Sequence, residues 1–437
     1  MATTASSARP YQARLADAAL VTTLEEVPAV WLVGPRGSGK TTTAERLAAS
    51  VAHLDKPADR GLFEADPDDA LRRWAEPVLL DEWQLVPEVL GAVKRSVDAN
   101  PAPGRFILTG SVNAVTENAW PATGRIVRLP VFPMTQREVL GFGGGQTGFI
   151  ERLWAGKVDS FAGMTPTMSI TDYLTLALRG GLPDAVLNRS QVGADIVLRD
   201  YAKQLTSNDA ALVRAGIDTR RFLTYAKAVA ANTSGIVDEA TLIEASRIDR
   251  RTADAYWKVL EDLFVVEATP AWWSSRLTRL VALEKRYFVD TGLVSALMGL
   301  SPEAVFTSTE WIGRLLDTWV AMQIRPEVAL SQRHPVLHHL RTKGGQHEVD
   351  LVVEFSDGSV AGIEIKATSS PGADDARHLR WLRQELGDRF RVGIVLHTGP
   401  YDIQLDDRIV AAPISTIWAA GATGPASFAS GKGMTQS

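Results

Sequence analysis

Gly34-Pro35-Arg36-Gly37-Ser38-Gly39-Lys40-Thr41 directly follows the apolar run Ala29-Val30-Trp31-Leu32-Val33, and this order of strand, glycine-rich loop and helix decides the fold of the first third of the chain. The stretch completes a GxxxxGK[ST] pattern. Its glycines let consecutive backbone N–H groups turn inward around phosphates, Lys40 brings a positive charge to the β and γ oxygens, and the Thr41 hydroxyl is a ligand for Mg²⁺. Thr42-Thr43-Ala44-Glu45-Arg46-Leu47-Ala48-Ala49 reads as the helix whose positive N-terminus faces the anion. A glycine loop alone is commonly a plain turn, and the flanking strand and helix separate this one from that reading. The residues that would hold ATP, and ADP after it, are Gly34, Pro35, Arg36, Gly37, Ser38, Gly39, Lys40, Thr41 and Thr42.

Pro77-Val78-Leu79-Leu80-Asp81-Glu82 moves the reading from binding to hydrolysis, because a short apolar strand here ends in two carboxylates. Asp81 would hold Mg²⁺ through its water shell, and Glu82 would orient or deprotonate the attacking water. A kinase would need no water-activating carboxylate at this place. A third strand, Arg105-Phe106-Ile107-Leu108-Thr109-Gly110-Ser111, follows a helix-like stretch from Pro87 to Asn100. Thr109 and Ser111 are candidates to hydrogen-bond the water or γ-phosphate, and a hydroxyl that caps the next turn explains either equally well. Arg125, in Thr123-Gly124-Arg125 before the strand-like Ile126-Val127-Arg128-Leu129, is a candidate to stabilise transition-state charge in cis or on a neighbour's nucleotide. A surface salt bridge accounts for it equally.

At 437 residues the chain is too long for one ordinary core, which predicts about two to three domains. There is no cysteine, so disulfides, thiolate metal sites and a cysteine nucleophile are excluded. No apolar stretch is long enough to span a bilayer, and Met1 to Arg14 lacks the apolar core of a signal peptide. The expectation is a cytoplasmic protein without a membrane partner. A net charge of −5 and a pI near 5.9 argue against a surface coated in basic charge for nucleic acid, though not against a local patch.

Gly141-Phe142-Gly143-Gly144-Gly145-Gln146-Thr147-Gly148 marks a loop or boundary, and the charge-poor stretch from Gly421 to Ser437 reads as a disordered tail. Between them, Thr219 to Ala231 and Glu239 to Ala245 have helical amphipathicity. Asp249 to Leu263 continues it, and Phe264 to Ala268 begins a strand, which is the outline of a winged helix. Arg247, Arg250, Arg251 and Lys258 would meet phosphates if the second of these helices entered a groove. With Glu261 and Asp262 diluting the charge, a packing or lid module fits better.

His347-Glu348-Val349-Asp350-Leu351-Val352-Val353-Glu354 alternates like a strand, Ser356-Asp357-Gly358-Ser359 turns, and Val360-Ala361-Gly362-Ile363-Glu364-Ile365-Lys366 returns. Period two places Glu364 and Lys366 on one face. Asp350 followed by Glu364-x-Lys366 is the D…ExK pattern of PD-(D/E)xK nucleases, in which carboxylates bind one or two Mg²⁺ and the lysine helps position water. Asp317, on an upstream helix from Trp311 to Ile324, would add an acidic ligand. Charges that cross-pair along a solvated hairpin are the alternative.

As a set these segments resemble the prokaryotic AAA+ ATPases in which a P-loop domain is joined to a winged helix and a C-terminal nuclease-like domain of unknown function. The resemblance rests on GPRGSGKTT at Gly34 to Thr42, LLDEWQLVPE at Leu79 to Glu88, RFILTGS at Arg105 to Ser111 and GRIVRL at Gly124 to Leu129. RGGLPDAV at Arg179 to Val186, KRYFVDTGL at Lys285 to Leu293, and EVDLVVE with GIEIKAT between Glu348 and Thr368 complete it. It implies that Gly181-Leu182-Pro183 sits near the nucleotide base, with Pro183 in the site, and that the Gln84 amide touches the γ-phosphate or a neighbouring subunit. Two departures stand out: Gly37-Ser38 where the family commonly has Gln-Val, and the shorter Asp317 where it often has Glu.

The expected fold is α/β: an AAA+/ASCE P-loop parallel sheet over 1–145, a helical lid and winged helix over 146–285, and a PD-(D/E)xK restriction-endonuclease-like α/β domain over 286–420. A tail covers 421–437. The expected function is Mg²⁺-dependent ATP binding and hydrolysis that repositions the C-terminal modules. An ATP-gated, metal-dependent nuclease, and an ATP switch with a non-catalytic partner-binding C-terminal domain, are the alternatives. DNA or a protein would be the partner, and a homo-oligomer is compatible with Arg125 acting in trans.

Overall fold

The computed structural model describes residues 10–113, 124–144, 147–161, 168–187, 189–272 and 283–419. Five short strands build the first sheet: β1 (Ala29–Val33), β2 (Ser50–His53), β3 (Val78–Asp81), β4 (Phe106–Thr109) and β5 (Ile126–Pro130). They are ordered β2-β3-β4-β1-β5 and all pair in parallel. A parallel sheet covered on both faces needs near-continuous apolar strands, and β1, β3 and β4 are buried throughout. Side chains still alternate. Trp31, Leu80 and Leu108 join one core, while Val30, Leu32, Leu79 and Ile107 join the core on the opposite face. The helix after the glycine loop is shorter than the sequence indicates, Lys40–Glu45, because its β-branched Thr41-Thr42-Thr43 run is a weak helix former and β2 must start at Ser50.

Helices Thr219–Ala231, Glu239–Ser246 and Arg250–Asp262 share one core, and β6 (Val266–Thr269) pairs antiparallel with β7 (Lys285–Phe288) behind them. Asp218, Asp238 and Asp249 accept from backbone N–H groups at the three helix starts and so satisfy donors that the helices leave free.

The last sheet contains β8 (Val336–Arg341), β9 (Glu348–Glu354), β10 (Val360–Lys366), β11 (Phe390–His397), β12 (Ile403–Asp406) and β13 (Ile409–Pro413), ordered β12-β13-β11-β10-β9-β8. β8-β9-β10 is an antiparallel meander, and β11 then pairs parallel to β10. Helix Arg377–Leu386 covers one face through Leu379, Leu382 and Leu386. The other face packs on helix Thr309–Leu330 through Trp319, Val320 and Ile324.

Helix Phe149–Ala155 packs through Phe149, Ile150 and Leu153 on Trp319, Ile394 and Trp418 of the last unit, while helix Ile170–Arg179 bridges two cores, with Tyr173 on that side and Leu174 and Leu178 packed with Phe222 and Leu260 of the later helices. An amphipathic face fixes that a helix is buried but not on which sheet. The glycines at the expected boundary also do more than loosen the chain: a Cβ on Gly143 would lie 2.2 Å from the Ala13 carbonyl oxygen. The tail expected from 421 lies outside the described residues.

Buried His339 joins the middle and last units, with Nε2 donating to the Leu283 carbonyl at 2.8 Å. Burial pushes its pKa down to about 4, against the pull of that carbonyl. The unfolded chain therefore binds more protons than the folded one between pH 6.5 and about 4, and stability falls as pH drops through that window by up to about 3 kcal/mol. His339→Asn is expected to flatten this part of the profile. Urea midpoints at pH 7 and pH 5 check it, and an unchanged slope in the variant would contradict it.

Candidate functional site

The C-terminal ends of β1, β3 and β4 lie level, with Leu32 and Asp81 each in register with Thr109, so three loops open on one edge of the sheet. In an open α/β sheet that edge is where ligands bind. A cavity of about 570 Å³ lies there, lined by Lys40, Thr41, Glu82, Ser111, Arg14 and Pro183 among others. Gly39 has φ +95°, a backbone position costly for other residues, and a Cβ on it would lie 2.8 Å from Arg14 Nη1.

Asp81 is the hub of the site. Its Oδ1 accepts from Thr41 Oγ1 at 2.8 Å and from Thr109 Oγ1 at 2.6 Å, and His53 Nδ1 lies 3.5 Å from its Oδ2. A hydroxyl and a carboxylate held together are hard oxygen donors of the kind that Mg²⁺ takes, so these residues fit the ion. Lys40 folds over the loop and donates to the Gly34 and Pro35 carbonyls at 2.9 and 2.8 Å. Burial pushes its pKa down to about 8, while Glu82 and Asp81 hold it up. Glu82 follows β3 with φ 54° and accepts from the Gln84 amide. Burial raises its pKa, as suits a group that takes a proton from water near neutral pH.

The Thr109 hydroxyl donates to Asp81, whereas Ser111 lines the cavity. Arg125 precedes Ile126, which pairs with Ala29 at the start of β1, and its Nε donates to Asp98 at 2.9 Å. That is the opposite end of the sheet from Lys40, roughly 15 Å away at the usual rise per strand residue, so Arg125 does not reach its own chain's phosphates.

Sequence reasoning missed the strap formed by Tyr11, Gln12 and Arg14, all of which line the cavity. Arg14 donates to the Ser38 carbonyl at 2.7 Å and the Phe132 carbonyl at 2.7 Å, and pairs with Glu138 at 2.9 Å. The Tyr11 hydroxyl donates to Asp17 at 2.6 Å, and the Arg46 guanidinium lies 3.9 Å from its ring centre. From the other side, Arg36 of the glycine loop pairs with buried Asp209 at 2.6 Å, and the Tyr201 hydroxyl donates to the Arg36 carbonyl at 3.0 Å. Asp209 ends a π-helical turn, Leu205–Asp209, a distortion that often marks a functional position. The Gly181 N–H donates to Asp290 at 2.7 Å and its carbonyl accepts from Met134 at 2.6 Å, which fixes the turn that carries Pro183.

In the last sheet, the Ile365 N–H donates to Asp350 Oδ2 at 2.9 Å, and Lys366 Nζ lies 2.8 Å from Glu364 Oε2. Lys285, from β7, puts its ammonium 2.6 Å from Asp317 Oδ2 and 3.5 Å from Asp350 Oδ1. Burial opposes its charge, but Asp317, Tyr287 and Asp350 outweigh it and hold its pKa well above the ordinary lysine value. Burial first, then the Asp350 charge, push Glu364 up to about 8 against the pull of Lys366. Among the described residues, His53, Asp55 and Asp81 are the His/Asp/Glu trio whose ligand atoms gather within 4.8 Å of one another, and the C-terminal carboxylates do not gather so closely.

A family model described as an AAA domain matches residues 26–140, which span the glycine loop, Asp81 and Glu82. Two domains of unknown function, DUF8612 and DUF4143, match residues 170–304 and 312–417. Residues 26–140, which carry the parallel sheet and the glycine loop, are thus similar to the P-loop domain of AAA-type ATPases. The chain is 27% identical over 417 residues to uncharacterized protein Rv2008c of Mycobacterium tuberculosis, a match that covers 93% of this chain and 85% of the relative. The figures are the same for uncharacterized protein Mb2031c of Mycobacterium bovis. A solved structure, the Walker-type ATPase PABY2304 of Pyrococcus abyssi, aligns with 66% of this chain and 98% of its own at 16% identity and a TM-score of 0.39. Among the described residues no helix is long and apolar enough to cross a membrane.

Proposed function

We propose that this protein is an Mg²⁺-dependent ATPase of the AAA+ class whose turnover repositions a winged helix and a nuclease-like C-terminal domain. The observation that carries the repositioning is the pair Arg36–Asp209 at 2.6 Å, because it joins the phosphate-holding loop directly to the helical module. A triphosphate on the glycine loop would draw Arg36 toward its own charge and compete with Asp209.

The ion held by Thr41 and Asp81 would neutralise charge across the β and γ oxygens. Lys40 binds and orients the phosphates, Glu82 orients the attacking water and accepts its proton, and Ser111 faces the same cavity. Three helices followed by the β6–β7 hairpin support the winged-helix reading, and Arg247, Arg250 and Arg251 are exposed there for a nucleic-acid partner. Asp317, Asp350, Glu364 and Lys366 on one meander and its covering helix support the nuclease-like reading. The ammonium of Lys285 between two of the carboxylates favours a switch that does not cut in this conformation.

Hydrogen exchange with a non-hydrolysable ATP analogue and Mg²⁺ tests the coupling. Protection is expected to change at 205–213 and 285–290 as well as around the loop, and to change at none of these in Lys40→Ala. Changes confined to the loop would remove the repositioning role and leave the ATPase reading standing.

A further inference from the structure

Three carboxylates and two lysines meet where β9 and β10 face the helix Thr309–Leu330. Glu364 and Asp350 are the next residues after the antiparallel pair Ile363–Leu351, and Asp317 comes from the helix. Lys366 takes Glu364 Oε2, which leaves Glu364 Oε1 buried without a hydrogen-bond partner on a side chain 2% exposed. A buried carboxylate oxygen in that state calls for a cation or a donor. Hard divalent ions take such oxygens readily, yet the place between Asp317 and Asp350 is filled by the chain's own Lys285, 3% exposed.

We propose that Lys285 is a tethered cation standing where a divalent ion would sit, so that the cluster of Asp317, Asp350 and Glu364 is closed to Mg²⁺ and Mn²⁺ while β7 is docked and becomes a divalent-cation site when β7 withdraws. An ammonium satisfies two carboxylates at low cost because it reaches them on an apolar stem and carries the charge the ion would bring. It differs from an ion in being attached to a moving part. β7 lies in a two-stranded ribbon with β6, and its Arg286 backbone also accepts from the Ser234 N–H at 2.7 Å and donates to the Gly235 carbonyl at 3.0 Å, just after the helix Thr219–Ala231. The Arg286 side chain pairs with Glu239 at 2.7 Å, so the strand is tied to the helical module and would travel with it. The Tyr287 hydroxyl, which donates to Asp317 at 3.1 Å, would leave together with Lys285.

The proposal deepens the reading of the C-terminal domain and is separable from the ATPase assignment, because metal is titrated without nucleotide. Mn²⁺ binding to the full chain is followed by the electron paramagnetic resonance of the free ion, for wild type, Asp350→Asn, Lys285→Met and Lys285→Met/Asp350→Asn. Wild type and Asp350→Asn are expected to bind equally. Lys285→Met is expected to bind an additional Mn²⁺ that the double variant loses, and to melt higher when Mn²⁺ is added. A wild-type chain that loses Mn²⁺ with Asp350→Asn overturns the proposal even if Lys285→Met does not fold. A folded Lys285→Met with no added binding overturns it too. Nicking of plasmid DNA by Lys285→Met with Mn²⁺ reports separately on the nuclease reading, since metal can bind without cutting.

Discussion

Glu82→Gln is expected to bind ATP as tightly as the wild type and to turn it over about 10²–10⁴-fold more slowly, the range for removing a positioned general base. The carboxylate lies one residue beyond Asp81, in a left-handed backbone conformation that turns it away from the strand direction and into the cavity with Lys40 and Thr41. Its pKa is raised by burial, so it accepts a proton from water more readily than an exposed glutamate does. The amide of Gln is close in shape and retains the contact with Gln84 in altered polarity, but it cannot take the proton. An interaction made only in the transition state lowers kcat and leaves binding in place. Phosphate release under saturating ATP, with nucleotide affinity measured on the same preparation, separates the two. Undiminished turnover in purified Glu82→Gln would remove the assignment. Lys40→Ala should show the other pattern, weakened nucleotide binding, because its ammonium meets the phosphates in the ground state as well.

The contrast between these two residues shows what was legible in the chain before its structure. Gly34 to Thr41 is contiguous, and a local backbone pattern makes the phosphate site. Asp81 and Glu82 are legible because an apolar strand that stops at two acids has few other uses. The alternatives for Arg125 stay open in the sequence for a topological reason: a residue next to a strand can lie at either end of the sheet, and only the parallel pairing of β5 with β1 sends it to the far end, where it pairs with Asp98. Arg14 and Tyr11 carry no pattern at all, since they reach Ser38 and Thr43 across the fold. Nothing in Lys285-Arg286-Tyr287 marks a place in the carboxylate cluster, because Lys285 meets Asp317 across 32 residues and Asp350 across 65. Strand alternation reveals which charges share a face of one hairpin. It says nothing about a charge delivered from another module.

Arg137→Ala and Glu327→Ala are each expected to destabilise the protein by about 3–5 kcal/mol, the cost of leaving one member of a buried ion pair alone. The two side chains are 8% and 7% exposed and their charged atoms lie 2.9 Å apart. Glu327 also accepts the Ile150 N–H at 3.1 Å, and Arg137 donates to the Phe142 carbonyl at 3.0 Å, so each deletion frees a backbone group as well, the Ile150 N–H a buried one. Gln323, one turn earlier on the same helix, accepts from the Gln136 N–H at 2.6 Å. The helix Thr309–Leu330 therefore grips the ATPase domain at Gln323 and Glu327, while Asp317, roughly 15 Å back along its axis, faces Lys285. Arg137→Met/Glu327→Leu should recover much of the loss, since an apolar pair of similar volume leaves no charge buried alone. Urea midpoints of the two singles and the double give the coupling directly, and singles that cost less than about 1 kcal/mol would show that the pair is not buried in solution. The double variant should keep ATP turnover, because neither residue lines the nucleotide cavity, but lose the nucleotide-dependent exchange at 285–290. A rigid helix can report one domain to the other only while it is held at both ends.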